Sequence, residues 1–250
     1  MPSYERSFGL IEASLEELTF IWKSVSKNEY SVDSPKLVLV GGWAVDSYNS
    51  WYGSTDIDMV ANSKTRKEIS FRLIKERGFV RSKSIGENHA IFKRTNYGPI
   101  YLDFGNKEER YRFEGRTEEL NFDKLDGQTV KKSLRNRTVV MVPTRSLLLM
   151  YKIKAAWDRS NRIDSKTSQD EDWERGKLVK DYGDILALLD ESKGGREVDT
   201  VYLGHLLSEY SFLINFLKKV SDQKAAIEKY ARMDHPTVEH LFKRLLQVTT

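Results

Sequence analysis

The sequence predicts an α+β protein in which a mixed sheet with flanking helices is followed by an all-helical domain. Short apolar runs of strand length occur only in the first part of the chain, before Pro143. Every strongly periodic segment after Thr144 repeats its apolar residues at helical spacing. We therefore predict an α/β domain at residues 1–142 and a helical domain at residues 143–250.

The first half is predicted to begin with an amphipathic helix at residues 8–25, whose apolar residues recur every three or four positions. Residues 37–40 are leucine and valine throughout, which is typical of a strand buried on both faces, and Gly41 and Gly42 end it. A helix is expected to start near Trp43. The other predicted elements are a strand at 56–61, a helix at 64–77 ended by Gly78, a strand at 79–81, a hairpin of strands 89–93 and 100–104, and a strand at 139–142.

The second half contains only helical patterns. The polar stretches 161–176 and 192–196 are predicted to be loops. A leucine-rich face at residues 203–217 is best explained by core packing, with a partner surface as the alternative. The predicted helices are 146–159, 177–191, 201–220, 223–233 and 237–248.

Composition narrows the functional classes. Hydrophobic residues make up 39% and charged residues 31%, and no apolar run approaches the roughly 20 residues that span a bilayer. The first residues lack the pattern of a secretory signal, so we expect a cytoplasmic protein with no membrane partner. The chain has no cysteine and only four scattered histidines, so any metal should be held by oxygen ligands.

A basic segment at residues 131–137 places four cations within seven residues, although the whole chain carries a net charge of only +4. A solvated loop or strand edge is the simpler interpretation. A phosphate-contacting patch for nucleic acid is the alternative. Its cations are Lys131, Lys132, Arg135 and Arg137.

Two aspartates in the predicted strand 56–61 are the main candidates for chemistry. Asp56 and Asp58 are separated by one residue, so in a strand their side chains point to the same face. Carboxylates of this kind hold magnesium together with substrate phosphates. Upstream, Gly41 and Gly42 allow a close backbone approach to phosphate, and Ser54 adds a hydroxyl. Taken singly, the glycines also fit an ordinary turn, and the aspartates an exposed strand edge.

Together these residues resemble the signature of the nucleotidyltransferase superfamily with a DNA polymerase β-like fold. The resemblance implies a third carboxylate on a later strand, and Asp103 matches it. It further implies that Asp56, Asp58 and Asp103 hold Mg²⁺ or Mn²⁺, and that Gly41, Gly42 and Ser54 hold the triphosphate of an NTP. Asp103 would also draw the proton from the attacking hydroxyl. Many members carry an arginine four residues before the first aspartate, where this chain has Tyr52.

A lysine in the second half extends the resemblance. Lys152 lies in the mostly apolar stretch 147–157, so we expect its charge to reach an anion from another element or a ligand, or else to reach the surface. The stretch 148–159, followed by residues 180–185, resembles AbiEii-type nucleotidyltransferases. In that group a lysine matching Lys152 and an aspartate matching Asp181 join the active-site cleft. Lys152 would neutralise phosphate charge and Asp181 would orient Lys152 or Arg159, whereas Asp184 is expected to be a helix-surface partner of Lys180.

The resemblance implies a magnesium-dependent enzyme that transfers an NMP from an NTP to an acceptor hydroxyl and releases pyrophosphate. Its acceptor could be tRNA or another RNA, as in a toxin-like enzyme with an antitoxin partner. A small molecule of the antibiotic type or a protein hydroxyl are the other acceptors considered. The competing hypothesis is a nucleotide-binding or regulatory module with weak or lost catalysis, suggested by Tyr52 and by the unmatched helical tail.

Overall fold

The structure is a computed structural model, and it describes residues 7–24, 34–81 and 91–247. Within these ranges the chain divides into two compact units. The α/β unit contains residues 7–109 and 121–144, and the helical unit contains residues 110–120 and 145–247. The predicted α+β class, with a mixed sheet first and a helical region after it, is confirmed. None of the helices in the described ranges is long and apolar enough to cross a membrane.

The α/β unit is built on a five-stranded mixed sheet with the strand order β1-β2-β5-β4-β3. Strands β2 and β5 run parallel, and every other neighbouring pair is antiparallel. The predicted strand at 89–93 begins in a part of the chain outside the described residues. The strands are β1 Leu37–Leu39, β2 Ile57–Ala61, β3 Val80–Arg81, β4 Ile91–Thr95 and β5 Gly98–Gly105.

Three helices accompany this sheet: α1 Phe8–Ser24, α2 Gly41–Tyr48 and α3 Ser63–Arg77. The apolar residues of α1 form the buried stripe that their spacing predicts. Helix α3 begins where Asn62 accepts a hydrogen bond from the Thr65 amide at 2.9 Å, and it ends at Gly78 with a left-handed φ of 73°. Helix α2 begins at Gly41, two residues earlier than predicted.

A buried carboxylate ties α1 to the rest of the α/β unit. Glu17, on the inner side of α1, accepts hydrogen bonds from Arg77 of α3 at 2.9 and 3.0 Å, and from Lys93 of β4 at 2.6 Å. Two cations therefore compensate a charge that would be costly to bury alone. This ion cluster also shows which side of β4 faces α1.

Strands β6 Thr129–Ser133 and β7 Val139–Pro143 form a separate antiparallel hairpin in the same unit. The sequence predicts β7 but leaves β6 undecided between a loop and a strand edge. The segment is a strand, with Lys131 exposed and Lys132 half-buried against the ring of Tyr48 at 4.5 Å. Long lysine stems cover apolar surface while their charges stay in water, so a basic run is compatible with a strand.

The helical unit contains six α-helices within the described residues. The predicted helix 201–220 is wrong: it is two helices, separated at the buried Tyr210, whose hydroxyl donates to the carbonyl of Glu119 at 2.8 Å. The leucine-rich face at 203–217 is buried, as core packing predicts. The helices are α4 Arg145–Asp164, α5 Glu171–Leu189, α6 Thr200–Glu209, α7 Phe212–Ser221, α8 Lys224–Tyr230 and α9 His235–Gln247.

The predicted loop at 161–176 is also wrong, since only residues 165–170 separate α4 from α5. Asp170 caps α5 by accepting from the Trp173 amide at 3.0 Å. The acidic residues that suggest a solvated loop, Glu171, Asp172 and Glu174, fill the first turn of α5 instead. Carboxylates are favoured at a helix N-terminus because the helix dipole is positive there.

The segment 110–120 packs with the helical unit although it precedes the predicted boundary at residue 142. Helix α4 holds it through three hydrogen bonds. The Glu114 amide donates to Asp158 at 2.8 Å, Lys154 donates to the Arg112 carbonyl at 2.8 Å, and the Trp157 indole donates to the Glu114 carbonyl at 3.1 Å. Lys154 and Asp158 thus do more than form the exposed helix pair that their spacing suggests.

Candidate functional site

Asp58 and Asp103 are direct neighbours on two parallel strands. Their Cα atoms are register partners in the β2–β5 ladder, so both side chains point to the same face of the sheet. Asp58 is half-buried and Asp103 is exposed, whereas Ile57 and Leu102, which flank them on the ladder, are fully buried on the other face. The fold therefore brings together two carboxylates that lie 45 residues apart in the sequence.

Gly41 lies against the carboxylate of Asp58. The Val40 amide donates to the Asp58 carbonyl at 2.9 Å, which extends the pairing of β1 with β2 and fixes the next residue beside Asp58. Gly41 has a φ of 64°, and a Cβ atom built there would lie 1.9 Å from Oδ2 of Asp58. Both the left-handed backbone conformation and the lack of room for a Cβ atom require glycine at this position.

The glycine pair also opens helix α2, which the sequence predicts to start only near Trp43. The first N–H groups of a helix have no partner within the helix, and Val40 provides no side-chain cap for α2. These donors begin at Gly41 and Gly42, next to the Asp58 carboxylate. Such a helix terminus favours anions through its N–H groups and its dipole. A carboxylate and an anion-binding helix end therefore occur side by side, which is a useful arrangement for a metal-bound phosphate.

Asp56 and Ser54 lie before β2 rather than in it. Asp56 occupies a bend and is half-buried, while Ser54 is buried in the loop that follows α2. The predicted strand 56–61 thus starts one residue late, so strand alternation alone does not fix the direction of the Asp56 side chain. Across residues 7–24, 34–81 and 91–247, no three histidine, cysteine, aspartate or glutamate side chains lie close enough to hold a metal ion together.

Tyr52, which stands where the resemblance implies an arginine, is buried. Its ring packs on Trp51 with 5.1 Å between ring centroids. The loop between α2 and β2 is therefore shaped by aromatic packing. A cationic contact to phosphate does not come from this position.

The predicted lysine of the helical unit belongs to a buried ion cluster. Lys152 of α4 is only 6% exposed and lies 2.7 Å from Asp184 and 3.4 Å from Asp181, both on α5. The anion that Lys152 was expected to reach on another element is thus supplied by α5. Asp181 also accepts from Arg159 at 3.0 Å, so it contacts both of the side chains that it was expected to orient.

Asp184 is not the surface residue that the sequence suggests. It is 1% exposed and accepts from the buried Lys180 at 2.7 Å in addition to its contact with Lys152. Helix α5 is buried over residues 180–189, which explains why an ordinary i to i+4 pair lies in the interior. The sequence signal for this was the nearly continuous apolar run 185–189 that follows the pair.

Burial and charge act in opposite directions within this cluster. Burial alone would raise the pKa of Asp181, but the positive charges of Lys152, Arg159 and Lys180 outweigh it and hold that pKa below its ordinary value. Burial lowers the pKa of Lys180, and the attraction of Asp184 offsets this only in part. The cluster is therefore tightly compensated within the helical unit.

Arg135, one of the cations for which phosphate contact was the alternative interpretation, has a structural partner. Its guanidinium donates to both carboxylate oxygens of the buried Asp46 on α2, at 2.5 and 3.2 Å, and also lies over the ring of Trp43. A bidentate pair with a buried carboxylate anchors the β6–β7 turn to α2. Of the other cations in the basic segment, Lys131 and Arg137 are exposed and Lys132 is half-buried.

No protein-family profile matches this sequence, and no curated protein is significantly similar to it. The geometry of the α/β unit is therefore the basis for a functional proposal.

Proposed function

We propose that the α/β unit carries the chemistry of a metal-dependent nucleotidyltransferase, which transfers an NMP from an NTP to an acceptor hydroxyl. The observation that supports this most is the register pairing of Asp58 with Asp103 on adjacent parallel strands. The second is the tight approach of Gly41 to Asp58, which places a helix N-terminus beside that pair. The polymerase β-like fold belongs to the same proposal.

The donor set fits Mg²⁺ or Mn²⁺. Two carboxylates that share one face of a sheet are hard oxygen ligands, and magnesium is commonly bound by one or two carboxylates plus substrate phosphates. Asp58 and Asp103 would hold the metal, and the family resemblance adds Asp56, which lies just before β2. When bound, the metal supplies positive charge that neutralises the phosphates of the NTP.

The residues of this chain would bind and orient the two substrates. The N–H groups at Gly41 and Gly42 and the hydroxyl of Ser54 would hold the triphosphate. The acceptor oxygen attacks the α-phosphorus and forms a new P–O bond, while the bond from the α-phosphorus to the bridging oxygen breaks and pyrophosphate leaves. Asp103, exposed on the open face, would take the proton of the hydroxyl.

The roles of Lys152 and Asp181 follow from the AbiEii resemblance. Lys152 would neutralise phosphate charge, and Asp181 would orient it. A Lys152→Met variant tests this role, because methionine keeps an unbranched side chain of similar length and removes the charge. The change also removes the ion pairs with Asp181 and Asp184, so urea unfolding must first show that the variant is folded under the assay conditions. We expect this variant to lose activity while Lys131→Met, a change of an exposed lysine, retains it.

The test is pyrophosphate release from each labelled NTP with Mg²⁺, with RNA and small-molecule hydroxyl acceptors supplied in turn. We expect the wild type to release pyrophosphate and Asp58→Asn to abolish it. Asp126→Asn, an exposed carboxylate of the same unit that pairs with Lys107, is the matched control and should be active. Equal rates for the wild type and Asp58→Asn would refute the proposal. Tight NTP binding with no turnover for any acceptor would support a regulatory module instead.

A further inference from the structure

The sheet face that carries Asp103 is exposed along residues 99–103 of β5. Along β5, the side chains of Ile100, Leu102 and Phe104 are buried against the rest of the unit. The alternate residues, Pro99 and Tyr101, are exposed together with Asp103. Strand alternation therefore puts Tyr101 on the same face as the proposed catalytic carboxylates, about 7 Å along the strand from Asp103.

Tyr101 has an aromatic partner on the next strand. Phe92 of β4 is its register partner, and the two rings lie 5.9 Å apart at an angle of 37°. The alternate residue Lys93 turns the other way and bonds to Glu17 of α1. Phe92 and Tyr101 thus form a pair of rings on the open face, which we call the aromatic platform.

The platform is unusual in its exposure and its neighbours. Tyr101 is 41% exposed although it lies on the central strand of the five-stranded sheet, where an aromatic ring is normally covered. Arg94 is exposed two residues beyond Phe92 on the same face of β4. Along this face lie the guanidinium of Arg94, the two rings of the platform and the carboxylate of Asp103, in that order. A nucleotide has both a base that can stack on rings and a charged phosphate, so it fits this combination better than a purely apolar partner does.

We infer that the aromatic platform stacks on an unpaired base of a nucleic-acid acceptor whose hydroxyl is presented to Asp103, and that Arg94 contacts its backbone phosphate. This inference rests on the proposed function because it names the acceptor of the same site. Stacking on a ring pair requires a base that is free of a double helix. A cross-strand ring pair that serves only to stabilise the sheet is the competing explanation.

The test measures binding without turnover, so that it can fail independently of the enzymatic proposal. The probe is a fluorescently labelled single-stranded RNA of eight mixed nucleotides, followed by anisotropy without NTP or metal. The comparison probe is an abasic oligomer of the same length and charge. Tyr101→Leu removes the aromatic face and keeps an apolar side chain on the strand, and Tyr101→Phe keeps the ring.

We expect Tyr101→Leu to weaken binding of the RNA about fivefold or more, with Tyr101→Phe close to the wild type. The abasic oligomer should bind weakly and equally to all three proteins. Arg94→Ala should weaken both probes, with a smaller dependence on salt. Phe71→Ala, which changes another exposed ring on α3, is the matched control and should bind like the wild type.

The inference is overturned if the wild type binds the abasic oligomer as tightly as the RNA, if it binds neither, or if Tyr101→Leu binds like the wild type. Urea unfolding of each variant identifies a loss of binding that comes from misfolding. If Tyr101→Leu is misfolded, the RNA affinities of Tyr101→Phe and Phe92→Leu are compared instead, and they test the inference. Loss of RNA binding in Tyr101→Leu without any pyrophosphate release by the wild type would contradict the enzymatic proposal alone.

Discussion

Replacing Gly41 by alanine should damage the proposed site far more than the fold. A Cβ atom at this position would lie 1.9 Å from Oδ2 of Asp58, about 1.5 Å inside ordinary contact distance. The carboxylate or the start of α2 must move by a comparable amount. Because misplacement of a reacting group by about 1 Å can cost on the order of 10²-fold in rate, we expect pyrophosphate release to fall at least about 100-fold.

Gly78→Ala separates this clash from the cost of the backbone conformation. Gly78 has a similar left-handed φ of 73°, but a Cβ atom there meets nothing within 4 Å. The left-handed conformation should cost both variants roughly 1–2 kcal/mol of stability, measured by urea unfolding, and Gly41→Ala should lose more because of the clash. Only Gly41→Ala should lose activity. Equal activity in the two variants would refute the assignment of Gly41 to the site.

Three further predictions concern charge. Asp184→Asn leaves Lys152 and Lys180 without their shared carboxylate and should destabilise the protein by roughly 3–5 kcal/mol in urea unfolding, whereas Asp126→Asn should change stability little. Arg135→Ala should lower the free energy of unfolding by a similar amount, because the buried Asp46 loses its bidentate partner. Lys131→Ala is the control and should lower it by less than about 1 kcal/mol. An equally small loss for Arg135→Ala would contradict the prediction. Asp181 has a lowered pKa in the folded state, so its stabilising contribution is complete above its unfolded pKa of roughly 4 and is lost as the pH falls through the folded value. The difference in unfolding free energy between the wild type and Asp181→Asn should therefore become smaller below about pH 4. A difference that stays constant with pH would argue against a lowered pKa of Asp181 in the folded state.

Local sequence patterns predict most elements of the fold, but they fail where tertiary contacts determine where an element begins or ends. The stripe of α1, the buried run of β1 and the glycine stop after α3 are each set by neighbouring residues. The break between α6 and α7 is different, because the buried Tyr210 is anchored by a carbonyl far away in the sequence. The sequence does not predict the N-terminus of α5, because its acidic residues have the composition of a loop.

The candidate site shows the same division. The sequence shows the order of a strand, two glycines and a later aspartate. Only the structure shows that Asp58 and Asp103 are register partners on neighbouring strands. No spacing rule reveals that pairing, because it depends on β5 lying beside β2 after the chain has passed through two other strands. The aromatic platform was not predicted at all, since Phe92 becomes the partner of Tyr101 only through the hairpin register.

Binding of Mn²⁺ followed by electron paramagnetic resonance, with a non-hydrolysable NTP present, tests the central claim most directly because it needs no acceptor. We expect saturable binding to the wild type and to Asp126→Asn, and its loss in both Asp58→Asn and Asp103→Asn. Binding of Mn²⁺ to all four proteins with the same affinity would contradict a metal site at the paired strands β2 and β5.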